Sequence, residues 1–427
     1  MKTIKTSLFL FGIVCFFSIS GYAADFYDID NPGIKKATVH LSAKKSSRLN
    51  NVFVSKLRKL LEQTLLFQNV SAKDSADYIL EIEKSVEDKE IVLNLIGGPG
   101  SQVQPKYFGL RFRGTDSGYL NLKAAQIGNR LLQELFGIKG SLGSTLVWSN
   151  LEQRRKVMYK TPFGIPEGTE QVSYNMFTNY GASWNPDMDK IIYTSHTEGG
   201  TIISVQQLNP LRYKSISVFA EAGKASSPYW APDGSVFLTL HISDQNSDIV
   251  QYKINGSPYA EVAPELKMVK KWTFNKTIET EPQISPDGAM MAFVSDQTAA
   301  PQIYLMNLKT GKVNRLTKKG GYNVTPAWSP NSKLIAYRGI RNKVSSVYRI
   351  DVKTGIEKRI TGEDIDAESP TWSPDGSLIA FTGKPKSDST DIMKIYYMLA
   401  SGGEYHRAVK TSSQISETNP RWGPALQ

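Results

Sequence analysis

The stretch Pro370-Thr-Trp-Ser-Pro-Asp-Gly376, running into the apolar Leu378-Ile-Ala-Phe381, decides the fold because it recurs. Copies stand at Pro228-Tyr-Trp-Ala-Pro-Asp-Gly234, Pro282-Gln-Ile-Ser-Pro-Asp-Gly288 and Pro326-Ala-Trp-Ser-Pro-Asn-Ser332. A degenerate copy, Ala182-Ser-Trp-Asn-Pro-Asp187, precedes them, and a truncated one, Pro420-Arg-Trp-Gly-Pro424, follows. The second proline of each lies at 186, 232, 286, 330, 374 and 424, giving steps of 46, 54, 44, 44 and 50. A period of about 40 to 50 residues is that of a β-propeller blade.

The strands of a blade are visible inside each period. After Gly288 come Met290-Met-Ala-Phe-Val294, Gln302-Ile-Tyr-Leu-Met-Asn307 and Val313-Asn-Arg-Leu-Thr317, divided by polar turns that include Lys309-Thr-Gly311. The next period repeats the pattern at 334–337, 347–351 and 357–361. Short apolar strands broken by glycine-bearing turns are what a blade requires. Within the motif, Pro followed by Asp-Gly builds a tight turn, and the tryptophans at 184, 230, 328, 372 and 422 can fill space between adjoining blades. Where Asn331-Ser332 and Met188-Asp189 replace the glycine-bearing pair, a less regular turn is expected.

The last motif lies at the end of the chain, which leaves one strand for a sixth blade. The missing strands are expected from upstream, with Thr145-Leu-Val-Trp148 and Lys156-Val-Met-Tyr159 as candidates, so that the two ends of the array close one ring without exposed edges. Residues 144–427 then supply about 47 residues to each of six blades. The expectation is a mainly β chain: a six-bladed β-propeller over 141–427, preceded at 24–140 by a small α/β domain with two helices on a mixed sheet.

That earlier domain has a different rhythm. Strands are expected at 37–41 and 78–82, and helices at 49–67 and 124–136, the latter ending at Gly137. The glycine-rich stretch 96–101 does not follow the phosphate-loop pattern and reads as a loop.

Residues 1–23 read as an export signal. Lys2 and Lys5 precede an apolar run over 8–17, and small residues at Gly21 and Ala23 place cleavage after Ala23. The run is far shorter than the roughly 20 residues of a membrane-spanning helix. An exported protein, peripheral to membranes and not spanning them, is expected. The chain has 51 Lys+Arg against 40 Asp+Glu, a formal charge of +11, and loss of the leader would lower this to +9 and remove the single Cys. Such a charge favours anionic partners, but the cations are spread in pairs, and export argues against nucleic acid.

A search for catalytic chemistry finds little. His40, His196, His241 and His406 form no metal-ligand spacing, and Gly114-Thr-Asp-Ser-Gly118 does not have the spacing of a nucleophile elbow. No cofactor, metal or catalytic residue is assigned. A channel site assembled from different blades would escape such a search, so an exported propeller enzyme or a glycan-binding protein stays open as the rival reading.

Residues 281–381, including SPDGAMMAFVSDQTAAPQIYLMNLKTGKVNRLT and SPTWSPDGSLIAFTG, resemble the propeller repeats of the TolB family of the Tol-Pal system. Residues 124–140 are similar to that family's last amino-terminal helix and linker. The resemblance implies a monomeric, non-enzymatic periplasmic adaptor that binds the peptidoglycan-associated lipoprotein Pal at the mouth of the propeller channel. It implies a second partner too, a TolA-type inner-membrane protein, held by the mature amino-terminal segment. Outer-membrane integrity and envelope constriction at division would depend on it. Carried over by position, the loops before each P-x-W motif supply the candidate contacts: Lys224, Ser226, Ser227, Thr280 and Glu281, then by repeat equivalence Thr325, Glu368, Ser369, Glu417 and Thr418. Asp25, Phe26, Tyr27, Asp28 and Asp30 occupy the place of the docking segment.

Overall fold

The computed structural model describes residues 36–44, 47–82, 90–99, 105–111, 116–212, 215–219, 224–256 and 265–423. The leader, its cleavage point and the segment Asp25 to Asp30 lie outside the described residues, as do residues 100 and 101 of the glycine-rich stretch, while its residues 96 and 97 end the strand Glu90–Gly97 where the sequence indicates a loop.

Five strands form a mixed sheet in the order Phe67–Asn69, Ala37–Ala43, Tyr78–Ile82, Glu90–Gly97 and Lys106–Arg111, parallel among the first three and antiparallel beyond. Two helices cover it. The first, Arg48–Gln63, starts where the Ser47 hydroxyl accepts from the Asn50 amide at 3.1 Å, and it buries Phe53, Leu57, Leu60 and Leu61. It stops four residues short of the expected 67, because Leu65 turns left-handed at φ 61° and Phe67 is needed as a strand residue paired with Ala37. Phe67 packs edge-on against Phe136, 5.3 Å between ring centres. The second helix, Ser117–Phe136, begins seven residues before the expected 124 because the Asp116 carboxylate caps the Tyr119 amide at 2.9 Å. Gly137, at φ 70°, ends it as the sequence indicates.

The propeller is six four-stranded antiparallel sheets. Blades one to five run in sequence order through residues 178–219, 225–271, 279–315, 322–359 and 365–407. Blade six takes its innermost strand, Ser416–Trp422, from the end of the chain and its other three, Thr145–Glu152, Arg155–Pro162 and Glu170–Gln171, from before blade one. The ring closes as expected, with a third upstream strand beyond the two anticipated.

The motif tryptophans join neighbouring blades. Trp328 donates its indole N–H to the Gln283 carbonyl and Trp372 to the Ala327 carbonyl, each at 3.0 Å and each reaching back to the inner strand of the preceding blade. The turns after them are more uniform than the sequence indicates. Gly288 bonds back to the Ser285 carbonyl at 2.8 Å with φ 72°, and Ser332 and Met188 make the equivalent bond at 3.0 Å with φ 59°. Loss of the glycine leaves the turn intact, because these side chains take the strained left-handed conformation that the turn demands.

The sheet domain is not hung on a free linker. Leu142, Phe163 and Ile165 share one buried cluster with Leu60 and Leu61 on one side and Leu378, Tyr397 and Trp422 of blades five and six on the other. Asn129 grips Leu142 in both directions, Nδ2 to carbonyl at 2.9 Å and amide to Oδ1 at 3.0 Å. Gly128 lies close below it, and a Cβ there would stand 2.5 Å from a Leu142 methyl and push that side chain aside.

Candidate functional site

Each innermost strand begins at one face of the propeller and ends at the other. Near its start every one carries a bulge: Thr280 faces Val294 and Gln283 faces Ala292, so Glu281 and Pro282 together oppose Phe293. The same register shift occurs in all six blades. The first residue of each bulge is left-handed: Gly181, Ser227, Glu281, Thr325, Ser369 and Asn419 have φ between 50° and 68°. In five of the six blades a proline follows it, and a bulge on the inner edge of a sheet is where a residue without an N–H can sit within a strand.

This corrects the expectation that the candidate residues occupy loops. Ser226, Ser227, Thr280, Glu281, Thr325, Glu368, Ser369 and Thr418 lie inside innermost strands, and only Lys224 precedes one, exposed, its carbonyl accepting from the His241 amide at 2.8 Å. Strand pairing reaches past the proline because the bulge absorbs it.

The bulges ring a cavity of about 230 Å³, lined among others by Ser227, Glu281, Thr325, Ser369 and Asn419 together with Tyr180, Thr194, Gln283 and Arg421. A second cavity of about 490 Å³ opens toward the opposite face, walled by Trp184, Trp230, Trp328, Trp372 and Trp422. Gln283 and Arg421 line both, so they mark the throat of one channel.

The outer rim of this mouth is polar and ordered. Ser226 shares a hydrogen bond with His241 Nε2 at 2.9 Å, and Thr280 with Thr239 at 3.1 Å. Arg338 pairs with Glu368 at 3.1 Å, and Lys156 donates to Asn419 Oδ1 at 3.2 Å. Burial pushes the Lys156 ammonium and the His241 imidazole below their ordinary ranges, the former partly offset by Glu368. Deeper in, Glu281 accepts the Thr325 amide at 2.6 Å. Glu281 still touches the channel space, but protein surrounds it, and burial pushes its carboxyl up against the Thr325 amide, Arg421 and Arg338, which pull it down.

Glu417 does not belong to this ring. It is fully buried between blades five and six, where it accepts from Lys394 at 3.4 Å, Arg407 at 2.8 Å, the Ile395 amide at 2.9 Å and the Thr411 hydroxyl. Its equivalents three residues before the bulge proline, Glu279 and Asn323, are buried likewise. The repeat-equivalent of Glu281 in blade six is Asn419. Counting back from Pro420 would have identified it.

Apolar side chains stand exposed on the same face of the propeller. Leu151 (46% exposed) lies near the end of Thr145–Glu152, Met176 (78%) precedes the inner strand of blade one, Ile242 (53%) lies near the end of Val236–Ser243, and Phe274 (72%) leads into Glu279–Ile284. Sequence reasoning did not single these out, since isolated apolar residues in loops carry no periodic signal. Arg421 was missed too. Its signal is the middle position of P-x-W, where the other copies have Ser183, Tyr229, Gln283, Ala327 and Thr371.

Among the described residues no group of three or more His, Cys, Asp or Glu could hold a metal ion, and no helix is long and apolar enough to cross a membrane.

Comparison with known proteins agrees with this architecture. A protein TolB homolog of Chlorobium luteolum is 28% identical over 183 residues, which are 43% of this chain and 38% of that protein. The Tol-Pal system protein TolB of Bordetella pertussis is 26% identical over 205 residues, 48% of this chain and 43% of its own length. The matches thus span about two fifths of these curated relatives. In three dimensions the chain is similar to the crystal structure of TolB from Acinetobacter baumannii, with TM-score 0.73 and 19% identity over 91% of this chain and 97% of that one, a likeness of fold. The family model described as the TolB beta propeller domain matches residues 180–426, and on that match this chain belongs to the TolB β-propeller family.

Proposed function

We propose that this protein is a periplasmic, non-enzymatic adaptor of a Tol-Pal envelope system, exported with cleavage near Ala23, whose bulge-ringed channel mouth docks a Pal-like lipoprotein. The supporting observation is the coincidence, on one face, of six bulges around a cavity with exposed Leu151, Met176, Ile242 and Phe274 at strand ends and in loops of that face. Exposed apolar anchors rimmed by polar groups are the pattern of a protein-binding surface. A standard interface buries roughly 1,600 Å², which such a face can supply. Relatives carry the name Tol-Pal system protein, in keeping with this reading.

The domain division proposed is 24–140 and 141–427, and the amino-terminal segment around Asp25 to Asp30 is proposed to engage a TolA-type partner. The rival, an enzyme or glycan-binding protein acting in the channel, is less favoured: among the residues lining the two cavities Glu281 is the one carboxylate and histidine is absent.

The test is binding of the soluble domain of the cognate Pal, followed by calorimetry, to wild type and to Thr280→Ile, Met176→Asp and Phe274→Asp. Saturable binding that the variants weaken about ten-fold or more supports the adaptor. Undetectable binding by folded wild type at high micromolar concentration overturns the Pal assignment.

A further inference from the structure

We propose that the channel cavity is a carboxylate site whose receiving group is Arg421. Arg421 stands at the throat shared by the two cavities. Its Nε donates to the Ala182 carbonyl at 3.0 Å, which fixes the side chain, and its two terminal nitrogens have no hydrogen-bond or ion-pair partner among the described residues. A fixed guanidinium with both terminal groups free presents the paired donors that match a planar carboxylate. The other potential donors point the same way. Thr194, fully buried, and Thr325 each have a hydroxyl without a hydrogen-bond partner, and both line the cavity of about 230 Å³. Buried polar atoms left unsatisfied are costly, and an acceptor-rich ligand placed between them satisfies all three groups together.

Glu281 is the obvious competitor for Arg421, but it does not take the cation. One of its oxygens is held by the Thr325 amide at 2.6 Å, and although the two side chains act on each other electrostatically, no hydrogen bond joins them. The nearby Arg338 is engaged by Glu368 at 3.1 Å. Arg421 is therefore the cation in the cavity whose terminal N–H groups make no hydrogen bond and can receive an incoming anion. The other five copies of the repeat have uncharged residues at this position, so the charge belongs to the final motif and is not needed to build a blade.

The carboxylate can come from an acidic side chain of the docking partner or from a small free acid. The first source rests on the adaptor reading above. The second does not.

Two arms separate them, both on the whole chain. In the first, ¹⁵N-labelled protein is titrated with sodium acetate and sodium succinate against sodium chloride at constant ionic strength, following the Arg421 Nε–H resonance. In the second, affinity for the soluble Pal domain is compared among wild type, Arg421→Gln, Arg421→Lys, Thr194→Val and Glu281→Gln, each checked by thermal melting.

Loss of a charged hydrogen-bonded contact is expected to weaken Pal binding about ten-fold or more in Arg421→Gln and less in Arg421→Lys, while Glu281→Gln binds more tightly. Such a result assigns the carboxylate to the partner. A saturable carboxylate-specific shift without Pal binding assigns it to a small acid and leaves the adaptor reading overturned. Pal binding unchanged in folded Arg421→Gln, with no saturable shift, overturns the carboxylate site and leaves the adaptor intact. Should Arg421→Gln fail to fold, Thr194→Val and the titration decide in the same sense.

Discussion

Trp422 and Ser144 stand 278 positions apart in the chain, and the indole N–H of the first donates to the hydroxyl of the second at 2.6 Å, both side chains buried. This bond lies on the seam where the last strand of the ring meets the first. Trp422 also packs edge-on against Phe163, 4.8 Å between ring centres, so the same residue ties blade six to the cluster beneath the sheet domain.

Trp422→Phe keeps most of that packing and removes the donor to the Ser144 hydroxyl, which still donates to the Ser141 carbonyl, at a cost of about 1 kcal/mol. Trp422→Ala removes the packing as well and costs about 3–5 kcal/mol. Urea unfolding followed by circular dichroism separates the two. Equal midpoints for both variants would contradict a closure held at this seam.

Glu417 concentrates four donors from Lys394, Arg407, Thr411 and the Ile395 amide in a site without solvent contact. Glu417→Ala leaves two cations beside an empty site and is expected to cost about 3–5 kcal/mol, whereas Thr418→Ala, one residue on, costs under about 1 kcal/mol. A small effect of Glu417→Ala on the urea midpoint would contradict the buried placement.

Met188 and Ser332 hold the left-handed position that Gly234, Gly288 and Gly376 fill in other copies of the turn. Nothing crowds the corresponding Cβ at Gly288, so the conformation itself sets the cost. Met188→Gly and Ser332→Gly should each stabilise by about 0.5–1 kcal/mol, and Gly288→Ala should destabilise by about 1 kcal/mol. Differential scanning calorimetry reads the signs directly.

Burial raises the Glu281 carboxyl above its ordinary 4.5. The folded state then holds its proton more tightly than the unfolded chain, so the associated stability is complete below pH 4.5 and is lost as pH rises through the folded value. Glu281→Gln keeps an acceptor for the Thr325 amide without the charge. It is expected to have a higher urea midpoint than wild type at pH 7 and an equal one below about pH 4. A variant less stable than wild type at pH 7 would mean that Glu281 is stabilised as the anion.

The sequence by itself determined the repeat, the blade count and the closure. A P-x-W-S-P-D-G motif every 44 to 54 residues leaves little freedom in a chain whose strands are short and whose turns are specified by Pro, Asp and Gly. It also located the prolines beside the channel, though the innermost strands begin three to five residues before them. Tertiary structure alone decided which side chains meet there. The bulge before each proline shifts the strand by one residue, and in a strand one residue separates a side chain in the channel from one buried between blades. Glu417 and Asn419 differ in that way, and Arg421, four positions on from Glu417, reaches the throat only because the ring closes on Thr145–Glu152. Charge in a channel depends on six strands brought to one axis from across the chain, and local spacing does not encode that convergence.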